Sequence, residues 1–68
     1  MQITPIIDLE LPFFEGGRYS GVITLERGID VPITVLKRYR GMMDCVLEDE
    51  EDKVEVRQIP LSRVQLRK

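Results

Sequence analysis

DCVLEDEEDKVEVRQIPLSRVQL, residues 44–66, reads as strand, turn, strand, one helical turn and strand. With Met43 in front of it, Met43, Cys45 and Leu47 alternate with Asp44, Val46 and Glu48. A period of two is that of a strand with one buried face. Glu48–Lys53 is polar throughout and forms a hairpin loop. Val54 and Val56 then point inward, with Glu55 and Arg57 outward. Pro60-Leu61-Ser62-Arg63 fits a single helical turn, because proline lacks the N–H that the first turn leaves unused. Val64 and Leu66 end the chain as a short strand.

Upstream of this stretch the same period recurs. In Ile3–Phe14, residues Ile7, Leu9, Leu11 and Phe13 alternate with Asp8, Glu10 and Pro12. Pro12 cannot donate to a ladder and implies an edge or a bulge there. Gly16-Gly17 is a hairpin signal, since both residues tolerate positive φ. The return strand Arg18–Glu26 places Tyr19, Gly21, Ile23 and Leu25 on one face. Arg27-Gly28 closes it. Ile29–Tyr39 follows, with Ile29, Val31, Ile33 and Val35 in register and Pro32 marking an edge or loop. A helix over Pro32–Arg40 is the alternative, with Val35, Tyr39 and Met42 on one side. The β-branched run Val31, Ile33, Thr34 and Val35 opposes it.

Short strands separated by glycine turns predict one small all-β domain over residues 1–68. A barrel suits so short a chain, because closure removes exposed edges. The succession within Asp44–Leu66 resembles the end of an SH3-like barrel, the fold shared by SH3, Tudor and KOW-type modules. That resemblance implies five strands and one short helical turn near Pro60–Arg63. It covers about a third of the chain and transfers no activity, since many functions share the fold.

Composition excludes several classes. The 68 residues contain no histidine and one cysteine, Cys45. An intrachain disulfide, a Cys/His metal staple and a histidine-activated nucleophile are all ruled out. Cys45 lies in the inward register with Met43 and Leu47, as a buried structural thiol would. The acids of Glu48–Asp52 lack the spacing of a calcium loop and read as a solvated tip. No cofactor is expected. No apolar run approaches the length of a membrane span, and Met1–Glu10 has no signal-like core. A cytoplasmic protein is the expectation.

Charge is uneven although the net charge is only −2. Lys37, Arg38 and Arg40 form a basic block, and the segment 44–55 that follows is strongly acidic. On a strand, Lys37 and Tyr39 take one face and Arg38 and Arg40 the other. Phe13 and Phe14 also point opposite ways, which leaves one of them as a contact for a partner. Type II dihydrofolate reductases are similarly short SH3-like barrels with a Val-Gln-Ile-Tyr strand lining their pore. Here Gln58 and Ile59 match, but Arg57 and Pro60 replace the valine and tyrosine, so no reductase activity is expected.

The sequence therefore leads to a non-catalytic protein-interaction or regulatory module. Its expected docking residues are Phe14, Arg38 and Arg40, which combine aromatic area with directional donors. A homodimer is expected from the small core and the alternating charge blocks. The alternative is a nucleic-acid-binding accessory protein that uses Lys37, Arg38 and Arg40.

Overall fold

The computed structural model describes residues 1–48, 50–51 and 53–68. The chain is all-β. Its strands are β1 (Gln2–Pro5), β2 (Leu9–Glu15), β3 (Arg18–Leu25), β4 (Val31–Tyr39), β5 (Met42–Leu47), β6 (Val54–Pro60) and β7 (Val64–Arg67). They form a seven-stranded sheet in the order β3-β2-β6-β5-β4-β1-β7. Every pairing is antiparallel. A lone 3₁₀ turn, Leu61–Arg63, stands between β6 and β7 as expected, with Pro60 as the residue before it.

The number of strands corrects the expected five. Ile3–Phe14 is not one strand: β1 stops at the buried Pro5, and residues 6–8 lead into β2. Val64–Arg67 pairs along the whole of β1, from Gln2↔Arg67 to Pro5↔Val64. The sheet is also not closed. Among the described residues no ladder joins β3 to β7, so both keep a free edge. Pro32–Arg40 is strand up to Tyr39, which disposes of the helical alternative.

The sheet is strongly rolled. A flat sheet is one backbone layer thick, whereas the molecule measures 27 × 25 × 21 Å. Three β-bulges contribute. Ser20 is the extra residue where Phe13 pairs with Gly21 and Phe14 with Tyr19. Leu36 is extra where Val35 pairs with Cys45 and Lys37 with Asp44. Arg57 and Gln58 together oppose Asp44, between the pairs Met43↔Ile59 and Cys45↔Val56. Each bulge adds local right-handed twist and bends its strand.

Rolling puts one side chain in two on the concave face. Ile3, Leu9, Leu11, Leu25, Ile33, Met43, Cys45, Leu47, Val54, Val56, Ile59 and Val64 form one core to which every strand contributes. The inward register read for Met43, Cys45, Leu47, Val54 and Val56 holds. Ile7 and Ile29 do not join the core. They are 41% and 55% exposed, because each lies in a connection outside the sheet. Tyr19 is 63% exposed, since the bulge at Ser20 turns it away from the face of Ile23 and Leu25.

The turns follow local chemistry. Gly16 and Gly17 have φ of +60° and +80°, the mirror-image geometry that suits a two-residue hairpin. Arg40-Gly41 repeats it between β4 and β5, with Arg40 itself at φ +49°. Pro32 is accommodated at the end of the β4–β5 ladder, where its carbonyl accepts from Glu48 N at 3.0 Å. Of the expected hairpin loop 48–53, positions 49 and 52 lie outside the described residues. Among the described residues no helix is long and apolar enough to cross a membrane.

Candidate interaction face

The convex face of β3-β2-β6-β5-β4 carries the side chains that the core does not take. Register fixes one row across it: Tyr19 beside Phe14, Phe14 beside Glu55, Glu55 beside Val46, and Val46 beside Thr34. Phe13 packs against the core, so alternation along β2 points the half-buried Phe14 outward, and the bulge in β3 brings Tyr19 to the same face.

Phe14 is held on two sides. The Tyr19 ring meets it edge-to-face, with centroids 5.8 Å apart and planes at 74°. The Arg57 guanidinium carbon lies 3.8 Å from its ring centroid. Arg57 Nε donates to Glu55, two residues earlier on the same face. That pairing fixes the guanidinium plane over the ring, and a stacked arginine retains donors for a further partner. Beside this stack lies a cleft of about 250 Å³ lined by Phe14, Gly16, Gly17, Val46, Lys53 and Glu55.

Asp44 organises the other half of the face. One carboxylate oxygen, Oδ1, accepts from Tyr39 Oη at 2.7 Å and from Gln58 N at 3.0 Å. Gln58 is at φ +63°, in the left-handed region that side chains rarely adopt. The Asp44 carboxylate thereby ties down the β6 bulge that presents Arg57. The hydrogen bond to Asp44 pushes the Tyr39 hydroxyl pKa above its ordinary value, with desolvation and the Asp44 charge acting in the same direction. Lys37 Nζ sits 4.9 Å from the Tyr39 ring centroid. Thr34 Oγ1 donates to Glu48 at the edge of this region.

Phe14, Arg38 and Arg40 are not assembled on one surface. Phe14 is separated from β4 by β6 and β5, about 14 Å across the sheet. Arg38 pairs with the inward-facing Met43, so it lies on the opposite side of β4 from Lys37 and Tyr39. Arg40 occupies the hairpin tip. Of the two adjacent phenylalanines Phe14 is the one that faces outward, half-buried as the base of a stack that ends in Arg57 and Tyr19. Glu55 and Arg57 could be read as outward from alternation alone. Their meeting with Phe14 depends on the β2–β6 register, which no local pattern contains.

Cys45 is fully buried on the concave face. Burial pushes its thiol up to about 12, with the Asp44 and Glu55 charges adding to the effect. A thiol whose folded pKa lies above its unfolded one supports the fold below the unfolded pKa. That support fades as pH rises from about 8.5 toward the folded value. Stability should accordingly fall with pH in this window, by up to about 1.4 kcal/mol per unit from this group. Urea unfolding of wild type and Cys45→Ala across the window checks it: the variant should show the shallower slope. A second cleft, of about 480 Å³, opens between Phe13, Ile23, Val54 and the acids Glu15, Glu50 and Glu51. Among the described residues no group of acidic or thiol side chains converges as a metal cage. No family model, curated protein or solved structure matches the chain.

Proposed function

We propose that the protein is a non-catalytic interaction module that docks a segment of another protein on the convex face of its sheet. The observation that carries this reading is the Arg57–Phe14–Tyr19 stack beside an open cleft. Arginine and aromatic side chains dominate binding energetics at protein contacts, because they combine apolar area with directional donors. The stack is also pre-formed, which lowers the ordering cost of binding. The occupant is an extended segment that lays an apolar side chain against Phe14 and Val46 and presents a carboxylate toward Lys53 and Arg57. The high pKa and burial of Cys45, the sole thiol, support a non-catalytic role. The rolled sheet and the helical turn before the last strand support an SH3-like ancestry, with the barrel opened along β3 and β7.

Arg57→Glu removes a partly exposed stack and an ion pair and should lower the unfolding midpoint only modestly, with the fold intact. It should weaken capture of the partner by about 2 kcal/mol, roughly thirtyfold. Phe14→Ser should do at least as much. Titration calorimetry with the purified partner provides the measurement. Undiminished affinity in Arg57→Glu would remove the stack from the binding surface.

A second reading rests on the β4–β5 hairpin. Arg40 occupies a left-handed turn position where asparagine or glycine is the stable choice. Residues kept against local preference often mark functional positions. With Arg38 and Lys37 also exposed on β4, this tip suits phosphate contacts. Salt-sensitive retention of RNA or DNA, lost in R38E/R40E and kept in Arg57→Glu, would favour this reading.

A further inference from the structure

The concave face runs out into a cleft that the core does not fill. Along β2, Leu11, Phe13 and Glu15 share that face, and Glu15 pairs with the buried Val54 of β6. Phe13 stands opposite Gly21, where an added Cβ would lie 3.4 Å from its ring. The glycine thus lets the ring lie over β3. Phe13, Ile23 and Val54 make an apolar floor, with Glu15, Glu50 and Glu51 around it, and the cleft measures about 480 Å³. That size suits a ligand or an inserted side chain. Among the described residues the ion pairs are Arg57–Glu55 and Arg67–Asp30, so no cation of the chain neutralises the three carboxylates. Arg18 is no exception, although it stands across the hairpin from Glu15. A solvated acidic tip needs no apolar floor. Carboxylates gathered over a low-dielectric floor focus a negative potential into the cleft.

We propose that this cleft receives a lysine side chain from another protein. Charge complementarity and the apolar floor together select the occupant. A purely apolar side chain would cover Phe13, Ile23 and Val54 and leave the carboxylates without a counter-charge. A hydrated metal ion would answer the carboxylates and leave the floor empty, and among the described residues no metal cage converges there. Lysine meets both demands. Its methylene stem lies along apolar surface while the ammonium stays at the wet rim. That ammonium is a compact charge with three rotatable donors, which suits carboxylates arriving from the end of β2 and from the loop before β6. The cleft lies on the opposite side of the sheet from the Arg57–Phe14–Tyr19 stack, since Phe13 packs inward and Phe14 outward. The proposal does not depend on the docking role of that stack.

Amide NMR titration of the whole chain tests it, with a blocked glycine-serine peptide that carries one central lysine as the probe. The peptide should shift the amides of Phe13, Ile23 and Val54 saturably, and leave those of Thr34 and Val46 on the convex face in place. Added salt should weaken the binding. Two further peptides separate stem from charge. Norleucine in place of lysine keeps the stem without the charge, and diaminopropionate keeps the charge on a single methylene. Each should bind about tenfold more weakly than lysine. E50Q/E51Q should weaken the lysine peptide by a similar factor, and because both residues are exposed, circular dichroism should show the fold intact. No saturable shift with the lysine peptide overturns the proposal. Equal binding of the diaminopropionate peptide overturns it too, because the acids would then act as a diffuse charge only. Equal binding of the norleucine peptide, or lysine binding indifferent to E50Q/E51Q, overturns the part given to the carboxylates and with it the choice of lysine.

Discussion

Ile59→Ala should destabilise the protein by about 2–5 kcal/mol, enough to unfold much of a domain this small. Ile59 is fully buried and packs in the core shared by all seven strands. Truncating it loses the transfer energy of three carbons and leaves a cavity that a rolled sheet fills poorly. The prediction is specific to the bulge. Val54 and Val56 face inward, so strict alternation would put Gln58 inward and Ile59 in solvent. Because Arg57 and Gln58 together oppose Asp44, the phase resets and Ile59 enters the core while Gln58 is exposed. Gln58→Ala should therefore cost far less. Thermal unfolding of both variants makes the comparison, and near-equal losses would contradict the reset.

Asp44→Ala should cost about 2 kcal/mol, which lowers the melting temperature of a domain this size by roughly 8–16 °C. Asp44 stands opposite a bulge in each neighbouring strand, at Leu36 in β4 and at Arg57 and Gln58 in β6. Its Oδ1 serves both the Tyr39 hydroxyl and the Gln58 amide. Alanine leaves two donors without their acceptor and frees a backbone position held in the left-handed region. Asp44→Asn retains an oxygen acceptor and should lose much less. Tyr39→Phe removes one of the two hydrogen bonds and should fall between them. Chemical denaturation orders the three variants; equal losses in Asp44→Ala and Asp44→Asn would show that the charge matters and the acceptor geometry does not.

These two residues also show what the sequence could and could not carry. Alternation at Met43, Cys45 and Leu47, and at Val54 and Val56, identified strands and their buried faces, because hydrophobic burial has the same period as the pleat. The glycine pair at 16 and 17 identified a hairpin for an equally local reason. Three bulges were invisible, since each is an agreement between two strands about an extra residue. The one at Ser20 accounts for the misplaced Tyr19, while Phe14 meets Arg57 through the β2–β6 register. The division at Pro5 and the free edge of β3 were hidden too, because strand order is a property of long-range pairing. The split of Lys37 and Tyr39 from Arg38 was legible, being a consequence of strand geometry alone.

The account rests most on the convex face as a docking surface. A photo-crosslinking residue placed at position 19, beside Phe14 and Arg57, tests it directly in native cell extract. The same residue at position 62, on the exposed 3₁₀ turn, is the control. Mass spectrometry of the products should show one discrete protein adduct from position 19, absent at position 62 and lost when Arg57→Glu is added. Adducts of equal yield from both positions, or an adduct at 19 that survives Arg57→Glu, would contradict docking on the Arg57–Phe14–Tyr19 stack.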